Sequence, residues 1–362
     1  MAGLFEKYCV INKTYTISDL IGAGTFGEVY KVHHRKLGSQ ALKIFYQGVI
    51  SKSSEVDLFN EAYLLTKFTH KNIVRVYDAN EFQHEGKKYY YIAMEHINGN
   101  TLGDYLDEHK NIAIDESINI VFDISEGLKQ AHKLKPPLVH RDIKPQNILL
   151  QKEEGKIVAK VSDFGIAKHL DPITQVTDAA GTVAFMPPEV ASNYETTSSD
   201  IYSLGIIFYM MLAGQFPFEL PKSHASHHSL GDIHQLVVHA KRDIPVPPSS
   251  HNTEVPPELD KLVLKMLMPA EDKRYRDAED LLKALNNYKR LKQKRKDSVI
   301  DLDPEIVKNI EQALKLGRQY STLRDAITLM ETAIILSPMD KRKILKKKYQ
   351  SILANWKKGI IF

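Results

Sequence analysis

Cysteine is nearly absent from this sequence, since Cys9 is the only one in 362 residues. An intramolecular disulfide is therefore excluded, and a reducing compartment, the cytoplasm, is expected. Long apolar runs are also missing. The most apolar stretch, IYSLGIIFYMMLAG over 201–214, is shorter than the roughly 20 residues needed to cross a bilayer. The first 15 residues lack the apolar core of a secretory signal. We expect a soluble protein without a transmembrane segment, and a buried core helix at 201–214.

The whole chain has little net charge, but positive charge is concentrated in its tail. The net charge is +4, while residues 289–362 contain 18 Lys and Arg against 8 Asp and Glu, which leaves the rest at −6. The tail is therefore a chemically distinct segment. We interpret its basic runs, KRLKQKRK and KRKILKKK, as solvated helix faces or linker. We expect no nucleic-acid binding by this tail.

Before about Met94 the sequence has the pattern of a small antiparallel sheet with one helix. The runs YTISDLI, EVYKVHH, QALKIFY, IVRVYDA and YYYIAME are β-rich and separated by Gly or polar turns. SSEVDLFNEAYLLTKF has apolar residues at helical spacing after Ser54, a candidate N-cap. After NGNTLGDYL helices dominate. We predict long helices over 115–133 and 197–214, a helical stretch over 256–288, and short strands between 138 and 165.

The stretch GAGTFG over 22–27 has the G-x-G-x-x-G spacing of two unrelated phosphate-binding loops. A dinucleotide-binding loop opens a helix, whereas the segment after Gly27 is EVYKVHH, which is typical of a strand. The pattern therefore indicates a hairpin with a glycine-rich tip. Two interpretations stay open at this point: a flap whose backbone N–H groups close over phosphates, and a plain structural hairpin.

Two charged residues follow the glycine hairpin at positions that suit a phosphate site. Lys43 lies in the next predicted strand, QALKIF, and Glu61 lies in the helix after it. An ammonium group that points at phosphates needs an anion behind it, and a helical Glu supplies one through a charge-assisted hydrogen bond. A Lys–Glu pair alone is usually a surface ion pair, so its meaning depends on the motifs further along the chain.

The segments LVHRDIKPQNILL (138–150) and KVSDFGIAK (160–168) complete a set of motifs. With the glycine loop and the strand lysine, they stand in the order of the eukaryotic-like, Hanks-type serine/threonine protein kinases, which the chain resembles over about residues 14–288. The sequence is more similar to bacterial members of this family than to animal ones. Pro187, Pro188 and Glu189 stand where the family usually has A-P-E, a conservative departure. The resemblance implies an α+β, bilobal kinase fold, with a small β-rich N-lobe containing one helix and a larger α-helical C-lobe.

The resemblance implies transfer of the γ-phosphoryl group of ATP to a Ser or Thr hydroxyl. Lys43 would hold the α- and β-phosphates, with Glu61 anchoring Lys43. Asp142 would orient the acceptor hydroxyl and accept its proton. Asp163 and Asn147 would bind Mg²⁺, or Mn²⁺ in its place, because hard cations prefer oxygen ligands.

Two further residues would mark the serine/threonine class. Lys144 would lie over the transferring γ-phosphate, and Thr182 would contact the catalytic loop. The family also implies an ATP site between the lobes, formed by the glycine hairpin, the strands around Lys43, and the hinge. Its residues would be Ile21, Gly22, Gly24, Phe26, Gly27, Val29, Ala41, Lys43, Met94, Glu95, Ile97 and Leu149. Phe26, at the hairpin tip, would cap the phosphates against water.

Regulation follows from the arginine beside the catalytic aspartate. Arg141 would wait for a phosphate group on the activation segment, because a cationic side chain in this place pairs with phosphate. The segment DPITQVTDAAGT offers Thr174 and Thr177 as acceptors. We hypothesise that the chain autophosphorylates there, and that Arg141, Thr174, Thr177 and Thr182 are its regulatory residues.

Structural residues complete the implied set. Asp200 would hold the catalytic loop from a buried helix, and Glu189 would pair with Arg274, because a buried glutamate needs a partner. The chain is then predicted to divide into a kinase N-lobe over 14–96, a kinase C-lobe over 97–288, a basic linker over 289–303 and a helical extension over 304–362.

The helical extension begins at about Pro304. ALKLGRQYSTLRDAITLMETAIILSP resembles one tetratricopeptide helix pair in its spacing, and RKILKKKYQSILANWKKGIIF, with Trp356, would be a capping helix. A single repeat cannot bury its own apolar face, so it must pack on another helix or on the body. We expect this small all-α module to bind a protein partner.

Two functions remain as hypotheses. The first is an active protein kinase that acts on protein substrates with a Ser or Thr acceptor. The alternative is a pseudokinase-like scaffold that binds nucleotide and acts through its C-terminal helical module. Lys43, Asp142, Asn147 and Asp163, which pseudokinases typically lose, are all retained, and this favours activity. Lys144 disfavours a small-molecule substrate.

Overall fold

The computed structural model describes residues 3–50, 55–109, 112–164, 184–189, 195–218, 241, 243–300 and 302–361. The side chains of residues 57, 61, 294–300, 340, 343 and 344 lie outside this description. The chain divides into two compact units, Met1–Asn286 and Asn287–Phe362. The first unit contains the glycine hairpin and the catalytic motifs, and the second consists of helices.

The first unit begins with a six-stranded sheet in the order β1-β2-β3-β4-β6-β5, in which neighbouring strands are antiparallel. Gly38, the first residue of β4, and Gly86, in the turn before β6, both have positive φ, where a Cβ would be strained. One helix, α1 (Glu55–Thr66), contacts this sheet. The predicted antiparallel sheet with one helix is confirmed. The strands are β1 (Val10–Ile11), β2 (Tyr15–Gly24), β3 (Gly27–His34), β4 (Gly38–Phe45), β5 (Val76–His84) and β6 (Lys87–Glu95).

The rest of the first unit is mainly helical. A second sheet has the order β7-β8-β9, with β7 (Gly99–Thr101), β8 (Ile148–Glu153) and β9 (Lys156–Val161). The loop before β8 and the segment after β9 contain the candidate catalytic residues. The α-helices that the structure describes here are α2 (Leu102–Glu108), α3 (Ile114–His132), α4 (Thr197–Ala213), α5 (Pro257–Met266) and the first part of α6 (Ala278–Ile300), which continues beyond Asn286.

Helix α4 is the buried helix that the apolar run 201–214 predicted. Thr196 caps its N-terminus by accepting a hydrogen bond from the backbone N–H of Ser198, and Gly214 ends it with a left-handed φ of 69°. From Ser198 to Leu212 every residue but Met210 is buried, with α3 and α5 packed against the helix. A helix that is apolar on all sides belongs in a protein core. Among the described residues, no helix has both the length and the apolar character that a membrane span requires.

The second unit has a core of its own. Its helices α7 (Pro304–Leu316), α8 (Leu323–Leu336) and α9 (Met339–Lys357) bury their apolar faces against one another. The indole of Trp356 lies against Gly317, where an added Cβ would be 2.1 Å from Cζ2 of the ring. The buried residues of this core are Leu302, Ile306, Ile310, Ala313, Leu323, Ala326, Met330, Ala333, Ile334, Leu345, Tyr349 and Trp356.

Three boundaries differ from the sequence predictions. Strand β5 begins at Val76 instead of Ile73, because Ile73 forms an isolated parallel bridge with Val161 of β9. The predicted helical stretch 256–288 is broken between α5 and α6, where Arg274 has an extended backbone. The range 289–303, predicted as a basic linker, is helical as far as Ile300.

Candidate active site

The glycine-rich stretch forms the hairpin between β2 and β3. Gly24 pairs with Gly27, and Thr25 and Phe26 form the turn. Because a strand follows instead of a helix, a dinucleotide-binding loop is excluded. An added Cβ on Gly27 would be 2.1 Å from the carbonyl oxygen of Ile44, whereas one on Gly24 meets no described atom within 4 Å. The sheet itself therefore requires glycine at 27 but not at 24.

An apolar cluster lies next to this hairpin and contains most of the predicted nucleotide-binding side chains. Ala41, Met94 and Ile97 are buried members of the cluster. Phe26, Val29 and Leu149 are partly buried and pack against it. Ile21 lies on β2 and is 49% exposed. A pocket extends from this cluster towards the residues after β9, and it is lined by Leu65, Ile73, Val74, Val76, Ile92, Met94, Asp163 and Phe164.

The predicted hinge begins at Glu95, the last residue of β6. Its backbone N–H donates to the carbonyl of Arg75 at 2.8 Å. Its two carboxylate oxygens accept hydrogen bonds from Nζ of Lys160 at 2.9 and 3.1 Å. Lys160 lies on β9 and is buried, so this ion pair connects the first sheet to the second at the end of the apolar cluster.

Lys43, on β4, forms an ion pair with Asp163, which follows β9. Nζ of Lys43 lies 2.8 Å from Oδ2 of Asp163, and the two side chains are 12% and 21% exposed. Asp163 has a left-handed φ of 60°. For a residue with a Cβ this conformation costs about 1–3 kcal/mol, and such residues cluster at functional sites. The side chain of Glu61, the predicted anchor of Lys43, lies outside the described residues, while its backbone belongs to α1.

Asp142 lies in the loop before β8, and two neighbours hold its carboxylate. Oδ2 accepts a hydrogen bond from Nδ2 of Asn147 at 2.9 Å and forms an ion pair with Nζ of Lys144 at 3.0 Å. The Asn147 amide also donates to the backbone carbonyl of Asp142, which closes the loop on itself. The other oxygen, Oδ1, is buried and accepts no hydrogen bond from any described residue. A buried acceptor without a donor is costly, and a hydroxyl group would satisfy it.

Asp200, in the first turn of α4, holds the same loop by its backbone. Its carboxylate accepts hydrogen bonds from the N–H groups of His140 at 2.8 Å and Arg141 at 3.0 Å. Nε2 of His132 lies 3.0 Å from Oδ2. Burial acts to raise the pKa of this carboxyl, but the hydrogen bond and charge of His132, with His140, outweigh burial and lower the pKa below its ordinary value. Asp200 is therefore an ionised anchor for the loop.

Arg141 has a left-handed φ of 70°, and its Nε lies 3.0 Å from Oε2 of Glu195. Burial raises the pKa of the Glu195 carboxyl, and the charge of Arg141 opposes that rise. The predicted regulatory residues Thr174, Thr177 and Thr182 lie outside the described residues. Within the described part of the chain, the carboxylate of Glu195 is thus an anionic partner of Arg141.

Glu189 and Arg274 form the ion pair expected from the sequence. Nη1 and Nη2 of Arg274 donate to the two carboxylate oxygens at 2.6 and 2.8 Å. The same guanidinium donates to the carbonyls of Met268 and Pro269, and its side chain is fully buried. The Ser199 hydroxyl donates a further hydrogen bond to Glu189. Both charges are therefore compensated by hydrogen bonds, which a buried ion pair requires.

Lys241 is a buried cation that the sequence analysis missed. It is 1% exposed, and its Nζ donates to the carbonyls of Ala184 at 2.7 Å and Met186 at 2.5 Å. Burial lowers the pKa of Lys241 to about 7, and the charge of Glu189 opposes this shift. Ala184 and Met186 lie within three residues of Pro187, so Lys241 fixes the backbone just before the P-P-E motif.

Lys160, His132 and Glu195 were also not predicted from the sequence. Their partners are remote: Lys160 and Glu95 are 65 residues apart, and His132 and Asp200 are 68 apart. A local pattern carries no information about such a pairing. Only Lys160 left a signal, because a lysine among the apolar residues of the strand KIVAKV must find an anion when the strand is buried.

The sequence of this chain is similar to those of known proteins. The family model of the protein kinase domain matches residues 15–285. The serine/threonine-protein kinase PknB of Mycolicibacterium smegmatis is 32% identical over 279 residues, which cover 75% of this chain and 42% of that protein. The serine/threonine-protein kinase PrkC of Bacillus subtilis is 33% identical over 308 residues, which cover 83% of this chain and 44% of that protein. The chain therefore spans less than half the length of these curated relatives.

Solved structures show a similar fold. The crystal structure of the kinase domain of PknI from Mycobacterium tuberculosis aligns with a TM-score of 0.59 at 22% sequence identity. The alignment covers 78% of this chain and 99% of that domain. At this identity the likeness is evidence of the fold alone. It agrees with a β-rich N-lobe and a helical C-lobe, the α+β arrangement expected from the sequence.

Proposed function

Since the chain belongs to the protein kinase family, we propose that it transfers the γ-phosphoryl group of ATP to Ser or Thr hydroxyls of protein substrates. The observation that carries the proposal is the carboxylate of Asp142. Lys144 and Asn147 hold one of its oxygens, and the other is a buried acceptor that no described residue satisfies. A hydroxyl that donates to Oδ1 would be oriented for attack and could pass its proton to the carboxylate.

Positioning and charge provide most of the catalysis in phosphoryl transfer. Lys43 would bind the α- and β-phosphates, with Glu61 as its anchor, and Lys144 would lie over the γ-phosphate. Lys144 is already fixed beside Asp142 by their ion pair at 3.0 Å. A lysine in this position favours Ser and Thr over Tyr as acceptors in the family that the chain resembles. Thr182 would support the same choice.

The adenine would bind against the apolar cluster of Val29, Ala41, Met94, Ile97 and Leu149. These side chains already share one cluster beside the hairpin. The backbones of Glu95 and Ile97 would supply polar contacts to the base. Gly22, Gly24, Gly27, Phe26 and Ile21 would close over the phosphates. The ion pair between Glu95 and Lys160 would keep the hinge strand in place beneath the base.

The residues of the site suit a hard divalent cation such as Mg²⁺. Asp163 offers a carboxylate, and the Asn147 amide donates through its nitrogen to Asp142, so its carbonyl oxygen is the end that would ligate. The bound cation would neutralise charge on the phosphates. Lys43 and Lys144 would supply the remaining positive charge from the protein.

The test is phosphate transfer by Asp142→Asn. The purified full-length chain is incubated with Mg²⁺, ATP labelled in its γ-phosphate, and a generic basic protein. We expect the variant to lose roughly 10²–10⁴-fold in rate, the usual contribution of a general base, while its ATP affinity and melting temperature stay unchanged. The matched control is Asp272→Asn, whose side chain is 73% exposed, and it should transfer phosphate at the wild-type rate.

The same experiment separates the two hypotheses. A nucleotide-binding scaffold would bind ATP in calorimetry but label neither itself nor the basic protein. Label on tyrosine in phosphoamino-acid analysis would contradict the Ser/Thr assignment. Equal labelling by wild type and Asp142→Asn would contradict the role of Asp142 and point to a contaminating kinase.

We propose that regulation acts through Arg141. A phosphate on Thr174 or Thr177 would compete with the Glu195 carboxylate for the Arg141 guanidinium. The test is mass spectrometry on active enzyme together with Glu195→Gln. If both threonines are unmodified in fully active protein, autophosphorylation is not the activating step. In that case Glu195→Gln should lower activity, because Glu195 would then be the anion that fixes Arg141.

We propose that the second unit binds a protein partner as a tetratricopeptide-like module in cytoplasmic signalling. The support is a core of three packed helices beside exposed apolar residues at the end of α8 and the start of α9. Ile335, Leu336 and Met339 there are 63%, 61% and 85% exposed. Leu336→Ser with Met339→Ser should remove proteins that cross-link to the wild-type chain in cells, and exposed Ser351→Ala should retain them. The cytoplasmic location rests on the low cysteine content, and cell fractionation tests it.

A further inference from the structure

Residues 3–11, which we call the N-terminal strap, lie outside the region that matches the kinase family, 15–285. The strap runs beside β2. The N–H of Tyr8 donates to the carbonyl of Ile17 at 2.8 Å, and the N–H of Ile17 donates to the carbonyl of Cys9 at 2.9 Å. Lys7 forms an exposed ion pair with Asp19 at 3.0 Å. The strap is therefore attached to the first sheet by its backbone, in a part of the chain that the family does not specify.

Phe5 anchors the strap in the sheet. It is 4% exposed, and its ring centroid lies 5.2 Å from that of Tyr89, 5.5 Å from Phe82 and 6.1 Å from Tyr30. These edge-on and tilted contacts are the preferred geometries of aromatic pairs. Ile11 of the strap is a member of the same core cluster. The strap thus closes an aromatic face of the sheet.

The strap also makes directed contacts with β3, the second strand of the glycine hairpin. Oε2 of Glu28 accepts a hydrogen bond from the N–H of Leu4 at 2.8 Å and another from the Tyr30 hydroxyl. The Tyr30 oxygen accepts a hydrogen bond from the N–H of Phe5 at 3.1 Å. Burial raises the pKa of Tyr30, and the hydrogen bond with Glu28 raises it further. Glu28 itself is only 7% exposed, and these donors satisfy its buried oxygen.

Glu28 connects these contacts to the glycine hairpin. It follows Gly27 directly, and it pairs with Ala23, near the end of β2, on one side and with Ile44, next to Lys43, on the other. Successive side chains of a strand point to opposite faces. Glu28 therefore meets the strap on one face of the sheet, while its neighbour Val29 packs in the candidate nucleotide cluster on the other face.

We propose that the N-terminal strap positions the glycine hairpin for ATP through Glu28, with Phe5 as the anchor. The proposal rests on the proposed nucleotide site. Glu28 is a positioning residue, because it acts through the backbone of the hairpin and does not touch the nucleotide. When the strap is detached, Glu28 loses the Leu4 N–H and Tyr30 loses the Phe5 N–H as hydrogen-bond donors, and the hairpin samples positions that bind phosphates less well. ATP affinity falls, while the site of the protein substrate is unchanged.

The experiment compares Phe5→Ala, Glu28→Ala, Phe5→Leu and Val32→Ala in the full-length chain. We expect Phe5→Ala and Glu28→Ala to raise KM for ATP by roughly fivefold, as the loss of about one hydrogen bond predicts. Turnover and KM for the protein substrate should change by less than twofold. Phe5→Leu should restore most of the affinity. Val32→Ala is the matched control, since Val32 is 1% exposed in the same cluster but lies towards the far end of β3.

Two measurements keep the outcome independent of catalysis. Calorimetry gives the dissociation constant for ATP, and hydrogen exchange gives the protection of the amides over 22–28, which should fall in Phe5→Ala but not in Val32→Ala. If the wild type binds no ATP, the proposed function itself fails. If all variants bind ATP equally, or if Val32→Ala weakens binding as much as Phe5→Ala, the strap has no positioning role.

Discussion

The two compact units differ in what they bury. The first buries charged side chains, among them Lys160, Asp200, Lys241 and Arg274, each less than 9% exposed. Among the described residues of the second unit, the only buried polar side chain is Ser337, which donates to a carbonyl one helical turn away. Apolar contacts therefore hold the second unit together, while the first combines its apolar core with a set of buried ions.

The difference follows from what each kind of contact can do. Apolar packing is strong but has no direction, whereas a hydrogen-bonded ion fixes a particular atom at the expense of desolvation. In the first unit the buried ions reach backbone atoms of the site. Asp200 binds the N–H groups of His140 and Arg141, and Lys241 binds the carbonyls of Ala184 and Met186. Buried charge in this protein therefore marks segments that must be positioned, and the second unit has no such segment in its described core.

The largest effect is expected from breaking one buried ion pair. Arg274→Ala leaves the Glu189 carboxylate buried without its partner, and the free energy of unfolding should fall by about 3–5 kcal/mol. Urea denaturation followed by circular dichroism measures it. The control is Arg276→Ala, because Arg276 is 81% exposed and pairs with Asp280, an arrangement worth only about 0–1 kcal/mol. Equal losses in the two variants would remove the distinction between buried and exposed charge.

The glycine hairpin separates a packing requirement from a binding requirement. Gly27→Ala would place a Cβ 2.1 Å from the carbonyl oxygen of Ile44, so the free energy of unfolding should fall by about 2–3 kcal/mol, the upper part of the range for overpacking. Gly24→Ala meets no described neighbour. It should keep wild-type stability and lose ATP affinity. Thermal melting with and without ATP-Mg²⁺ distinguishes the two, and a stable Gly27→Ala would show that β3 and β4 can separate at no cost.

The second unit offers the matching test of apolar packing. Gly317→Ala brings a Cβ into the indole of Trp356, and because a ring can shift more easily than a backbone, we expect a loss of about 1–2 kcal/mol. Trp356 is the only tryptophan, so its fluorescence during urea unfolding reports on this unit. Ser351→Ala, at an exposed position, should leave the transition in place. Equal transitions for Gly317→Ala and wild type would mean that the contact with the indole is not tight in solution.

The last prediction concerns the charge of Lys241, and it is measured as a change of stability with pH. Its pKa is about 7 in the folded chain and 10.5 in the unfolded chain. Between these values the unfolded chain binds more protons, so stability rises with pH, by at most about 1.4 kcal/mol per pH unit. Lys241→Met abolishes this contribution. The difference in unfolding free energy, wild type minus variant, should therefore grow from pH 7 upwards, and parallel profiles would show that the folded lysine stays charged.

Local patterns predicted much of this molecule. The strand and helix types of the first unit follow from short-range periodicity, and the buried α4 follows from its apolar run. The motif residues were found because their spacing is local: Asp142, Lys144 and Asn147 lie within one loop. The structure brings these three together, and it brings Lys43 to Asp163.

The remaining features depend on distant partners, which the sequence does not pair. Nothing in the local sequence distinguishes Lys241 or Glu195. In the fold, Lys241 lies beside two backbone carbonyls and Glu195 lies beside a guanidinium. The start of β5 was misplaced because Ile73 pairs with β9, a contact that no local window contains. Phe5 lies in a short terminal segment without periodicity, and only the aromatic face of the sheet explains why it is buried.

The ion pair between Lys43 and Asp163 affects which form of a phosphate ligand can bind at this site. The two charges neutralise each other, so neither side chain strongly attracts a single ion. A polyphosphate without a metal ion would pair with Lys43, and its negative charge would then repel the Asp163 carboxylate. A polyphosphate that carries a divalent cation offers each side chain a new partner at once. Binding of the proposed nucleotide would then be an exchange of counter-ions, and the pair would favour the metal-bound form.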